Sequence, residues 1–134
     1  MTNPIIDSSI LIDCLRGRAE AIAFLTAQST EKRPRTHLLV AAELLAGARD
    51  KDELALVDSF LASFDLTLPT ESDGLSALEL FRRLRLSHGV DWPECQIAAT
   101  TARLGVEVFT QSVKHLTAFP GLHAPAKRGE AQFV

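Results

Sequence analysis

The sequence predicts an α/β fold, a three-layer α/β/α sandwich around a short and mainly parallel sheet. Short apolar runs, such as residues 4–6 and the alternating "VEVFT" at 106–110, have the length and pattern of strands. Between them lie longer segments in which apolar residues recur at helical spacing. Strands that alternate with helices form parallel sheets covered by helices. Because no repeat or linker interrupts this order, the 134 residues are predicted to form one domain, 1–134.

Glycines and prolines set the boundaries of the predicted elements. Gly47, Gly89 and Gly105 each follow a periodic apolar segment and end a helix. Pro93 suits the first turn of a helix, and Pro34 allows only a brief strand after it. In chain order, the predicted elements are a strand at 4–6, helices at 8–17 and 19–28, a brief strand after Pro34, helices at 38–47 and 52–64, a strand at 65–69, helices at 72–89 and 94–105, and a strand at 106–110.

Composition excludes several classes of function. The formal net charge is −3, so the chain is not a basic nucleic-acid binder overall, because nonspecific affinity grows with the phosphates that Lys and Arg neutralise. No apolar run is long enough to span a bilayer, and the N-terminus lacks the pattern of a signal peptide. Cys14 and Cys95 have no paired spacing. The expected location is the cytoplasm, with both thiols reduced.

Acidic residues fall where a parallel sheet would gather them. Asp7 follows the first strand, Glu94 opens a helix, and Ser112 follows the last strand. Glu43 is the single charged residue of the run "LVAAELLAGA", so folding is expected to withdraw it from water. Sites in parallel sheets form beyond the carboxyl ends of the strands, and like charges gathered there need a counterion. Oxygen ligands favour Mg²⁺ or Mn²⁺.

Each acid also has a structural interpretation. Asp7 could cap the first helix, and Asp91 is most simply a cap or turn residue. Glu43 could reach solvent or pair with an arginine such as Arg49. Asp13 is expected to face water. Spacing alone therefore leaves both the metal site and these structural roles open.

Four segments carry a resemblance to a known family: "PIIDSSILIDCLRG", "HLLVAAELLAGA", "HGVDWPECQIAATTARLG" and "VFTQSVKHLTAFPGL". In this order they resemble the PIN domain, and in particular the VapC-type toxins of bacterial toxin–antitoxin pairs, from Asp7 to about Leu122. The resemblance implies a Mg²⁺- or Mn²⁺-dependent endoribonuclease that hydrolyses RNA phosphodiester bonds. It also implies a VapB-like antitoxin as partner and a homodimer.

The resemblance further implies a quartet of metal-binding positions at the end of the sheet. Asp7, Glu43 and Glu94 match the first three, which assigns them catalysis and metal binding, although relatives carry Asp where Glu94 stands. Ser112 occupies the fourth position, where relatives carry Asp or Asn. Asp91 would partly replace the missing charge. The residues expected to support the metal or contact the RNA are Ser8, Ser9, Thr110, Ser112, Lys114 and His115.

Other interpretations remain beside this one. The departures at Glu94 and Ser112 also suit a catalytically weakened PIN domain that acts as an RNA- or partner-binding module. A phosphoacceptor signalling domain needs paired acids after its first strand, and "NPIIDS" offers one. A phosphatase built on Asp-x-Asp is disfavoured because "DSS" lacks the second Asp.

Overall fold

Four short strands of the computed structural model form one parallel sheet at the centre of the molecule. The strands are β1 (Ile5–Ile6), β2 (Arg35–His37), β3 (Asp65–Thr67) and β4 (Val108–Phe109), in the order β3-β2-β1-β4. The structure describes residues 3–111 and Phe119. The helices of this part of the chain are α1 (Ser8–Leu15), α2 (Ala19–Gln28), α3 (Leu38–Ala46), α4 (Lys51–Leu61), α5 (Glu71–His88) and α6 (Trp92–Leu104).

The predicted α/β class and the predicted order of elements are confirmed. The helix predicted at 52–64 ends instead at Leu61, because the chain turns there and buries Phe64 beside Phe60, with ring centroids 5.1 Å apart. The strands are shorter than predicted, and the first and last contain two residues each. None of the helices formed by residues 3–111 is long and apolar enough to cross a membrane.

The hydrophobic core lies on both faces of the sheet. Ile6 and Phe109 point to the face covered by α1 to α4, where Phe24 meets Phe109 edge to face at 5.0 Å. Since successive side chains of a strand point to opposite faces, Ile5 and Val108 are buried on the other side. A second apolar cluster there joins α5 and α6, which pack closely along their lengths. The helices packed on these two faces are the outer layers of the predicted sandwich.

A buried polar network that the sequence did not reveal joins α3, α5 and α6. The Asp73 carboxylate is 1% exposed and accepts from Arg103 Nε at 2.7 Å and from the Thr100 hydroxyl at 3.0 Å. The Thr100 oxygen also lies 3.1 Å from His37 Nε2. His37 Nδ1 accepts from the backbone N–H of Leu39 at 3.0 Å and caps α3. The network therefore fixes the start of α3 against the two helices of the opposite layer.

This network selects the neutral form of His37. Because the Thr100 hydroxyl donates to Asp73, its oxygen accepts from His37 Nε2–H, which leaves Nδ1 as an acceptor for the cap. Burial lowers the pKa of His37 to about 4, although the Asp73 carboxylate acts in the opposite direction. Burial alone would raise the pKa of Asp73, but hydrogen bonds led by that of Arg103 outweigh it and lower the pKa to about 2.

His37→Asn tests this coupling between protonation and folding. The pKa of His37 is below its ordinary value of 6.5 in the folded protein, so the unfolded chain binds the extra proton and stability falls as the pH drops from 6.5 towards 4. Between about pH 7 and about pH 5 this loss is about 2 kcal/mol for the wild type. Asn preserves a capping oxygen but does not titrate. Urea unfolding at both pH values measures the difference, and equal pH dependence in the two proteins would contradict the assignment.

Candidate active site

Asp7 stands where β1 ends and α1 begins. It occupies the N-cap position, but its side chain makes no capping bond. Its Oδ2 accepts instead from the Thr110 hydroxyl at 2.7 Å, and the Ser8 backbone N–H also donates to the carboxylate. Thr110 follows β4, so this bond joins the carboxyl ends of two neighbouring strands. The alternative prediction, that the Asp7 side chain caps α1, is therefore wrong.

Glu43 lies on α3 and is exposed at the wall of a cleft between α1, α3 and α4. The prediction that folding withdraws Glu43 from water is wrong, because its position on α3 faces the cleft while Leu44 beside it enters the core. Arg49 binds Glu53 instead, with Nη2 and Oε2 2.6 Å apart. Within residues 3–111, no ion pair involves Glu43.

Asp91 and Glu94 form a reciprocal capping box at the start of α6. Asp91 Oδ1 accepts from the Glu94 backbone N–H at 2.9 Å, and Glu94 Oε1 accepts from the Asp91 backbone N–H at 2.8 Å. The prediction that Asp91 caps this helix is confirmed. The box orients both carboxylates at a helix N-terminus, where the helix dipole favours negative charge.

These four carboxylates share one electrostatic environment. Burial raises the pKa of Asp7, and the Glu94 and Asp91 charges raise it further against the bonds from Thr110 and Ser8. Partial burial also raises the pKa of Glu43, as do the charges of Asp7, Asp91 and Glu94. Among residues 3–111 and Phe119, however, no three His, Cys, Asp or Glu side chains are grouped closely enough to hold a metal ion as they stand. The charges of these acids thus act on one another although the side chains do not form a ready ligand set.

Hydrogen bonds attach the chain after β4 to α1. Ser9 Oγ accepts from the Gln111 backbone N–H at 3.0 Å and lies 3.3 Å from Thr110 Oγ1. Gln111 Nε2 donates to Asp13 Oδ2 at 2.9 Å, and Arg18 lies 3.8 Å from the same oxygen. Asp13 is buried, so the expectation that it faces water is wrong. The spacing of Asp13 from Ser9 could have predicted this position, because residues four apart lie on the same face of a helix.

The structure brings Asp7, Ser8, Ser9 and Thr110 together at the end of the sheet, with Glu43, Asp91 and Glu94 within electrostatic range. The remaining predicted positions are Ser112, Lys114 and His115, which lie outside the described residues.

The fold and the site define an α/β domain with an acidic centre at the carboxyl edge of a parallel sheet. The family model of the PIN domain matches residues 5–112. The chain is 36% identical over 123 residues to ribonuclease VapC19 of Mycobacterium tuberculosis, covering 90% of this chain and 98% of that protein. The chain therefore belongs to the PIN domain family, and the resemblance inferred from the four sequence segments is confirmed.

Solved structures agree with this fold. A toxin–antitoxin complex from Klebsiella pneumoniae matches with a TM-score of 0.73 and 22% identity, over 90% of this chain and 95% of the other. VapBC2 from Rickettsia felis, bound to a DNA fragment from its promoter, matches with a TM-score of 0.77 and 16% identity, over 92% and 97%. At these identities the likeness establishes the fold.

Glu43→Gln is expected to stabilise the metal-free protein. The substitution removes one of four mutually repelling charges and keeps the shape of the side chain, so the free energy of unfolding should rise, by only about 0.5 kcal/mol because Glu43 is exposed and water screens its charge. Urea unfolding in EDTA near neutral pH measures the change. Glu31→Gln, in an exposed loop residue, is the matched control and should leave stability unchanged. A destabilised Glu43→Gln protein would show that the repulsion is absent.

Proposed function

We propose that this chain is a divalent-metal-dependent endoribonuclease that acts as the toxin of a toxin–antitoxin pair. The observation that carries the proposal is the mutual repulsion of Asp7, Glu43 and Glu94, three acids at the positions that match the PIN family. The relative at 36% identity is named a ribonuclease, which supports RNA as the substrate. A site that repels itself in this way is suited to a cation.

The donor chemistry of the residues present suits a divalent ion, although among the described residues no three acids lie together as a ligand set in this structure. Asp7, Glu43 and Glu94 offer only carboxylate oxygens, the ligands that Mg²⁺ and Mn²⁺ prefer. None of the ion pairs found within residues 3–111 involves Asp7 or Glu43. PIN ribonucleases generally use a divalent metal ion. We assign the ion here to Mg²⁺ or Mn²⁺, held by these three acids with a contribution from Asp91.

The protein's own side chains would hold the carboxylates of the site in fixed orientations. A bound divalent ion supplies a water of lowered pKa and stabilises charge on the phosphate. The Thr110 hydroxyl holds the Asp7 carboxylate in one orientation, and Ser9 with Gln111 holds the segment that carries Thr110. The capping bond of Glu94 fixes its carboxylate at the start of α6. Ser112, Lys114 and His115 would complete the site, the last two by binding the RNA backbone.

An antitoxin and a second copy of the chain are the proposed protein partners. Several solved structures with this fold are toxin–antitoxin complexes, which supports a VapB-like partner. An acidic centre is complementary to a basic side chain of such a partner. For the homodimer we propose the region 52–86, where α4 and α5 expose the leucines Leu54, Leu75, Leu78 and Leu86.

A second candidate function is a PIN domain of weakened activity that binds RNA or a protein partner. The capping box favours it, because one carboxylate oxygen of Glu94 already accepts a hydrogen bond from the Asp91 backbone N–H at the start of α6. Ser112 favours it as well, since a hydroxyl brings no charge to the fourth position. The activity assay below distinguishes the two functions.

Asp7→Asn and Glu43→Gln should each abolish cleavage, with a loss of about a hundred-fold or more, because the remaining acids bind the ion too weakly. The measurement is Mg²⁺- and Mn²⁺-dependent cleavage of single-stranded RNA by purified protein. The same two variants should lose the rise in melting temperature that Mn²⁺ gives the wild type. Asp58→Asn, an exposed acid on α4, is the control. Full activity in either site variant would remove the assigned centre, and an inactive wild type would favour the second candidate.

Ser112→Asp should raise the affinity for Mn²⁺. The substitution restores a charged oxygen ligand at the fourth family position and adds to the attraction for a doubly charged ion. Titration calorimetry of both proteins with Mn²⁺ measures the dissociation constant. We expect a roughly ten-fold tighter constant, equivalent to about 1.4 kcal/mol. Unchanged affinity would refute a role for position 112 in metal binding.

A further inference from the structure

A cleft of about 570 Å³ lies between α1, α3 and α4. Glu43 stands on its wall, so the cleft shares this one residue with the proposed site. Its floor is apolar, and Leu15 and Leu56 are 38% and 66% exposed there. The charged residues that line it are Arg16, Glu43, Arg49 and Glu53.

The arginines around this cleft differ in whether a carboxylate is close enough to pair with them. Arg49 Nε and Nη2 both donate to the Glu53 carboxylate, so these two charges offset each other. Arg18 follows α1, and its Nε lies 3.8 Å from Asp13 Oδ2. Arg16 has no carboxylate partner within residues 3–111. Its positive charge is therefore available to a ligand in the cleft.

Arg16 is also well placed to hold an anion in a fixed position. It is the C-cap residue of α1, and its backbone N–H donates to the Ile12 carbonyl at 3.0 Å. The backbone that carries the side chain is therefore held in place by the helix. An arginine offers two parallel N–H donors that match two phosphate oxygens. An acidic centre repels a polyanion until an ion is bound, and a cation beside it provides an attractive contact along the approach.

We propose that Arg16 binds a phosphate of the RNA strand beside the one that is cleaved, with the strand lying along the α1–α3–α4 cleft. The proposal rests on the proposed function. A ligand that spans Arg16 and the metal-loaded acids must present an anion at both places, and a phosphodiester backbone carries one with every nucleotide. The exposed Leu15 and Leu56 provide apolar contact for ribose and bases between these points. Arg16 is thus a substrate-binding residue outside the set that the family motifs assign.

The experiment compares full-length wild type, Arg16→Gln, Arg16→Lys and Arg85→Gln. Arg85 is an exposed arginine on α5, away from the cleft, and serves as the matched control. Binding of a short fluorescein-labelled single-stranded RNA is followed by anisotropy over a series of KCl concentrations, with Ca²⁺ in place of Mg²⁺ so that binding is separated from cleavage. Cleavage kinetics with Mg²⁺ and melting temperatures are measured on the same proteins.

Arg16→Gln should weaken RNA binding by about three- to ten-fold at low salt. It should also reduce the slope of log affinity against log salt by about 0.7, the value for one phosphate contact of a single strand. Arg16→Lys should retain that slope, and Arg85→Gln should match the wild type. In the cleavage assay, Arg16→Gln should raise KM while kcat stays within about two-fold. This is the expected result for a contact that binds the substrate and the transition state equally well.

Unchanged affinity and slope in a folded Arg16→Gln protein would overturn the proposal. So would unchanged RNA binding accompanied by weaker binding of a protein partner, since the cleft would then belong to that partner. If the wild type binds RNA without cutting it and Arg16→Gln still lowers affinity, the proposed function fails while the role of Arg16 is supported.

Discussion

The parallel pairing of β1 with β4 is the constraint on which the rest of the site depends. Ile5 pairs with Val108 and Ile6 with Phe109, and the Asp7 backbone N–H donates to the Phe109 carbonyl at 2.9 Å. This register makes Asp7 and Thr110 neighbours, although 103 positions separate them in the chain. A slip by one residue would move Asp7 to the opposite face of the sheet and break the bond that orients its carboxylate.

The carboxylates of this molecule have two different kinds of surroundings. Asp73 is almost fully buried, but Arg103 and Thr100 satisfy its oxygens, and its pKa falls to about 2. Asp7 and Glu43 receive no arginine in the described part of the chain, and their pKa values rise. The first arrangement stabilises the fold. The second stores electrostatic repulsion at one edge of the sheet, where an incoming cation would relieve it.

The start of α6 combines helix formation with the site. Asp91 and Glu94 satisfy two of the N–H groups that a helix N-terminus leaves without partners, and the same two carboxylates add to the effect of burial in raising the pKa of Asp7. Glutamate at position 94 suits the capping box, because its side chain reaches back to the Asp91 backbone N–H. This offers a structural reason for a residue that departs from the family pattern.

Apolar periodicity, glycines at helix ends and prolines act locally, so the order of the elements could be predicted from the sequence. The family motifs, which are contiguous in sequence, also predicted which acids form the proposed centre. Tertiary structure alone decided what surrounds those acids. The exposure of Glu43 depends on the direction of α3, and the burial of Asp13 depends on Gln111, 98 residues away. The Asp73–Thr100–His37 network likewise joins residues far apart in the chain, so no local pattern of charge or hydropathy could reveal it.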